Sequence, residues 1–238
     1  MKHLNNSKTK LSFGLKALLL AFVLGLTSLP ATYGQTMQDA CLPDCFNDPF
    51  QGPFNITLEI CPGKYFEVEY GFRIACGIWY DYYIGDQITP GPGTNSTDFY
   101  NCINSVGGMN EFLRLVSEQL IIANPAAFPP VNPGDCATNW RVLKGSCWRG
   151  DVILGVGKTS GQTTYTSGPN YIDIIWPCTT TDCCLERFTV CLDQSGNKDI
   201  TNTGYLPPEF PDCDGQNDPW SIGTIFECIP VCGSIYNR

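Results

Sequence analysis

The chain has 238 residues, 14 of them cysteines, and a formal net charge of −9. An acidic field of this size repels nucleic acid and anionic lipid surfaces, so neither is expected as a partner. The only histidine is His3, which leaves the body of the chain without a residue for a Ser-His-Asp triad, a Cys-His pair or a histidine metal ligand.

The N-terminus carries the pattern of a signal peptide. Lys2, Lys8, Lys10 and Lys16 give a positive region, and Ala17 to Leu29 follow as thirteen residues without charge. A membrane-spanning helix needs roughly 20 apolar residues, so the run is too short to span. Pro30 breaks it, small residues follow, and cleavage is expected after Gly34, with Thr32 three positions before the cut. Residues 1–34 hold four of the 14 Lys and Arg and none of the 23 acids, so the mature chain from Gln35 would carry 10 − 23 = −13. No membrane span is expected after cleavage, and the protein is expected to be secreted, periplasmic or held at the cell surface.

All the cysteines lie beyond residue 34: Cys41, Cys45, Cys61, Cys76, Cys102, Cys136, Cys147, Cys178, Cys183, Cys184, Cys191, Cys213, Cys228 and Cys232. An even number in an exported chain predicts a disulfide framework. Zinc sites announce themselves by paired C-x2-C units, and the spacings Cys41-x3-Cys45, Cys183-Cys184 and Cys228-x3-Cys232 contain none. The pairing itself cannot be read from spacing.

Residues 35–54 are loop-like, punctuated by Pro43, Pro49, Gly52 and Pro53. Ile56, Leu58 and Ile60 alternate with Thr57 and Glu59, the pattern of a half-buried strand. After the Pro62-Gly63 turn, residues 65–75 repeat it, with Phe66, Val68 and Tyr70 opposite Glu67 and Glu69. A third strand is predicted over 78–84, and 89–97 has the composition of an exposed loop. One helix is predicted over about 109–124, where Met109, Phe112, Leu113, Val116 and Leu120 form a stripe to pack on a sheet. Arg114 and Glu118 sit one turn apart on its polar side, and Pro125 ends it. Residues 126–134, with Pro129, Pro130 and Pro133, form a connector between an N-terminal segment (35–125) and a C-terminal cysteine-rich segment (135–238). Beyond it strands are predicted over 140–144, 152–156, 163–166, 171–176, 187–192 and 220–226, with a weaker one over 199–202. The fold class is therefore mainly β: a disulfide-rich sandwich or open barrel with one amphipathic helix on a sheet.

Four motifs suggest chemistry. Gly157-Lys158-Thr159 mimics a phosphate-binding loop, but the position that needs the first glycine is Val152 and no helix pattern follows, so a turn is expected. Residues 193–199 mimic a calcium loop, yet glycine stands fourth instead of sixth and Lys198 adds positive charge, which favours a hairpin turn. Asp212, Asp214, Asn217 and Asp218, between Pro211 and Pro219, are the better candidate calcium ligands. No other cofactor is expected. In the third strand, alternation sends Trp79, Asp81 and Tyr83 to one face and Tyr80, Tyr82 and Ile84 to the other. The Asp81 face is expected to be partly exposed and able to stack on a sugar ring or receive a partner protein. Asn55-Ile-Thr57 and Asn95-Ser-Thr97 match glycosylation sequons.

Export, bridges, acidity and the missing catalytic inventory together predict a non-enzymatic extracellular or cell-surface protein for binding or structure. Its expected partner is an extracellular protein or a polysaccharide, and self-association is an allowed outcome. Two alternatives compete: a secreted hydrolase acting on glycans through a carboxylate pair, and a structural subunit of a surface filament or layer.

Overall fold

The computed structural model describes residues 45, 47–151, 172–178, 183–206, 213 and 226–232. Among these residues the fold is mainly β, a curled sheet of nine strands with two helices packed against it. The strands are β1 (Gln51–Cys61), β2 (Lys64–Ala75), β3 (Trp79–Pro90), β4 (Cys136–Gly145), β5 (Cys147–Asp151), β6 (Ile174–Pro177), β7 (Cys183–Leu192), β8 (Lys198–Leu206) and β9 (Phe226–Pro230). The helices are α1 (Ser96–Val106) and α2 (Met109–Ala123).

β1, β2 and β3 form an antiparallel meander. Gly63, at φ +70°, supplies the left-handed turn between the first two strands. β3 then pairs in parallel with β4, from Tyr80↔Trp140 to Tyr83↔Leu143. A parallel pair needs a crossover, and α1 and α2 are that crossover. β4, β7 and β8 continue antiparallel on one side. The far end of β3 pairs instead with β6 at Ile88↔Ile175, and β6 leads to β5 and β9. The sheet thus divides beside β3, between β4 and β6, and curls around the helices. Strands from both sides of the proline-rich connector share this one sheet.

The sequence pattern predicts one helix, and the described residues form two. α1 begins immediately after the Gly-Pro-rich lead-in. Asn95 caps it by accepting from the Asp98 N–H while the Asp98 carboxylate accepts from the Asn95 N–H, and Gly107 closes it at φ +109°. Its buried face is Phe99, Cys102 and Ile103. α2 matches its predicted stripe, and buries Ser117 as well, whose hydroxyl donates to the Leu113 carbonyl. Arg114 bonds both Glu111 and Glu118, and that contact holds the Glu111 carboxyl below its ordinary value. Lys198 of β8 donates to the Ile121 and Ile122 carbonyls, neutralising the C-terminal end of α2.

The core joins the inward residues of β2, β3, β4 and β7 to the helices: Phe66, Val68, Tyr82, Ile84, Trp140, Val142 and Phe188 against Phe99, Phe112, Leu113, Val116 and Leu120. The connector is docked on it. Phe128 inserts among Tyr80, Tyr82 and Trp140 at 5.1–5.5 Å between ring centroids. The Tyr82 hydroxyl donates to Asn124 and accepts from the Ala126 N–H, and the Trp140 indole donates to the Pro129 carbonyl. A buried hydroxyl and a buried indole both need such partners.

Six disulfides lace these elements: Cys45–Cys76, Cys61–Cys102, Cys136–Cys191, Cys147–Cys213, Cys178–Cys228 and Cys184–Cys232. Cys183 is also disulfide-bonded, and no described cysteine is free. Such a set of bridges is characteristic of an oxidising environment. Among the described residues no helix is long and apolar enough to cross a membrane. The strands predicted over 152–156 and 163–166, most of 220–226, the leader and the Gly157 motif lie outside the described residues.

Candidate functional site

The sheet has a second face, turned away from the helices, and its chemistry is set by one cross-strand row. Arg73 of β2 stands opposite Asp81 of β3, which stands opposite Arg141 of β4, which stands opposite Arg187 of β7. The last partner is Gly204 of β8. Neighbouring strands bring directly opposed side chains to within about 5 Å of each other, so the row sets Asp81 between two guanidiniums, with a third, Arg187, beyond Arg141.

Alternation places Trp79, Asp81 and Tyr83 on this face, and they are there. The expected exposure of Asp81 is overturned. Asp81 is 0% exposed, Arg141 1% and Arg73 3%. The reason is charge pairing. Arg141 donates through Nε to Asp81 Oδ1 at 2.6 Å and through Nη2 to Oδ2 at 2.8 Å, while Arg73 Nε donates to Oδ2 at 2.9 Å. Fork-like pairs of this kind are strong and directional. The trio still carries one excess positive charge. It is spread over the Cys45 and Asp48 carbonyls, which accept from Arg73 Nη1, and over the rings of Phe50 and Trp79, 4.7 and 4.5 Å from the Arg73 and Arg141 guanidinium carbons. The Cys45–Cys76 bridge and the Asp48 carboxylate, which accepts from the Cys76 N–H, pin this covering segment. Tyr83 is buried too, in a small apolar cluster with Leu143, Leu185 and Phe50.

Asp81 and Tyr83 thus hold the face together from within, and both are buried. The accessible end of the row is Trp79 and Arg187. Trp79 is half-buried and Arg187 is exposed. Trp79 lies between two guanidiniums, that of Arg141 and that of Arg187, whose carbon is 5.7 Å from the ring centroid. Beyond Arg187, Gly204 sits at φ +142°, beside a register shift in the β7–β8 pair, with open space where a Cβ would stand. Only glycine takes that backbone conformation without strain. The alternation that marks Trp79 also marks Arg187, between Leu185 and Thr189 on the outward side of its strand. Its juxtaposition with Trp79 requires the parallel β3–β4 pairing, which no local pattern reveals.

Two further ion pairs are buried. Lys144 donates to Glu186 at 2.8 Å, leaving Glu186 Oε2 without a partner. Arg149 and Trp176 both bond Asp151 Oδ2, at 2.9 and 2.6 Å, leaving Arg149 Nη2 and Asp151 Oδ1 unpartnered. The 193–199 segment is a turn: the Asp193 carboxylate accepts from the N–H groups of Ser195 and Asn197 and from the Asn197 side chain, contacts that hold its carboxyl below the usual value. The candidate calcium ligands Asp212, Asp214, Asn217 and Asp218 lie outside the described residues. Between them Cys213 is described, buried and bonded to Cys147. Both sequon asparagines are exposed, Asn55 on β1 and Asn95 at the cap of α1.

Comparison with known proteins finds no matching family model, no matching characterised protein and no matching solved structure.

Proposed function

We propose that this chain is a non-catalytic binding protein that works outside the cytoplasm, at a cell surface or in a matrix, on an extracellular protein or polysaccharide. The observation that carries the reading is Asp81. It is flanked by Tyr80 and Tyr82 in β3, and both of its oxygens are occupied by guanidinium donors away from solvent. A general acid or a glycosidase nucleophile must reach the substrate and exchange its proton or its bond. The described cysteines are all in bridges, so none offers a thiolate. The leader pattern and the disulfide framework support the compartment, and an acidic surface supports protein and glycan partners over nucleic acid.

The test pairs two assays on the secreted, oxidised protein. A glycan array and a pull-down from extracellular material are expected to return a saturable partner. A panel of chromogenic glycosides and peptides is expected to show no turnover. Turnover abolished by one Asp→Asn substitution would overturn the reading in favour of a hydrolase.

A further inference from the structure

Resting on the binding reading above, we infer that the outward face at Arg187 is a saccharide site selective for carboxylated sugars, with Arg187 as the anion contact, Trp79 as its positioning residue and the Thr189–Thr201 pair as the hydroxyl contacts.

The net charge of −9 opposes anions at long range, and the row from Arg73 to Arg187 offsets it locally with three guanidiniums against one carboxylate. Asp81 is fully engaged by Arg73 and Arg141. Among the described residues no carboxylate pairs with Arg187, and its described contact is the Trp79 ring. Glu186 lies on the other face of β7, bonded to Lys144. The next acid along the ladder is Asp199, opposite Cys191 and four residues from Arg187, roughly 13 Å along the strand. A guanidinium held against an aromatic ring keeps its N–H donors uncommitted and loses rotamer freedom in advance. Such a group is built to receive a planar pair of oxygens, as in a carboxylate.

The surroundings select the rest of the ligand. Gly204, opposite Arg187, carries no side chain, and no described atom lies within 4 Å of where its Cβ would stand, so nothing there screens the arginine. Two residues along β7, Thr189 stands opposite Thr201 of β8, one half-buried and one exposed. Phe188 and Val190 face the core, so alternation turns both threonines outward with Arg187. Their hydroxyls can donate and accept, as sugar hydroxyls do. They sit roughly 7 Å from the arginine along the strand, which suits a chain of sugars carrying a carboxylate at one unit and hydroxyls at the next. An acidic peptide would use the arginine and leave the threonine pair idle.

Calorimetry on the full secreted protein tests this with a uronic-acid hexasaccharide, the same hexasaccharide with its carboxylates reduced to alcohols, and a poly-glutamate peptide. The uronic-acid oligomer is expected to bind at least tenfold more tightly than either of the others. Arg187→Ala is expected to weaken it tenfold or more with an unchanged melting temperature, because the residue is exposed, and Arg187→Lys to recover part of the loss. Thr189→Tyr, which disrupts the threonine pair and leaves the charge in place, is expected to weaken it as well. Wild-type affinity in Arg187→Ala, equal binding of the reduced oligomer or the peptide, or no binding of the uronic-acid oligomer overturns the inference. The binding reading fails separately, only if the array and pull-down are also empty.

Discussion

Replacing Asp81 with asparagine is expected to lower the unfolding free energy by about 3–5 kcal/mol, the usual cost of stranding a buried charge by removing its partner. The shape of the side chain is kept and its charge is lost. Two guanidiniums, of residues 3% and 1% exposed, would then share a site with no anion. Neither can escape cheaply: Arg73 is tied to the carbonyls of the covering segment, and Arg141 lies under Trp79. Urea unfolding reads the effect as a drop in midpoint, with Arg187→Ala as the control, since an exposed substitution should stay within about 0.5 kcal/mol. An Asp81→Asn protein with the wild-type midpoint would mean that the buried trio is not what holds this face, and would reopen a chemical role for the carboxylate.

Removing the Cys61–Cys102 bridge by a double substitution to alanine is expected to cost about 4 kcal/mol. The bridge closes a sequence separation of 41, and in the chain-entropy account a loop of that length restricts the unfolded state by roughly this amount. It is also the covalent tie between the end of β1 and α1. α1 should nevertheless remain in place, because Phe99 packs on Phe66 and Phe112 at 4.9 and 5.6 Å between ring centroids. The expected signature is a lower global stability with faster amide exchange confined to α1 and the adjoining end of β1. Unchanged stability after loss of the bridge would contradict the reading of the disulfides as braces.

Much of the architecture is legible in the residues. Phe66, Val68 and Tyr70 alternate with polar neighbours and become the inward side of β2, and the stripe from Met109 to Leu120 becomes the buried face of α2. Those signals are local, so they survive in a single sequence. α1 is harder to see. Its cap residues Asn95 and Asp98 and its buried Phe99, Cys102 and Ile103 are all present, but the Gly-Pro-Gly-Thr-Asn-Ser lead-in makes the segment look like an open loop. β5 is hidden for another reason: Cys147, Trp148, Arg149, Gly150 and Asp151 are buried on both faces, so no alternation marks the strand.

The candidate site divides along the same line. Alternation alone puts Trp79, Asp81 and Tyr83 on one side of β3. It cannot say that Asp81 meets arginines eight and sixty residues away, because that depends on the antiparallel register of β2 and the parallel crossover to β4. An acid between aromatic residues looks like a surface feature until its counter-ions are known. For the same reason Trp79 lies at the accessible end of the row while Asp81 is buried within it.

Peptide mapping of the native protein without reduction tests the cross-linked framework most directly. The predicted result is no alkylated cysteine among the described residues, with linked peptides for Cys45–Cys76, Cys61–Cys102, Cys136–Cys191, Cys147–Cys213, Cys178–Cys228 and Cys184–Cys232, and Cys183 in a further bridge. Alkylation of most of these sulfurs in the folded protein would contradict it, and the assignment of compartment would fall together with the bracing of the sheet.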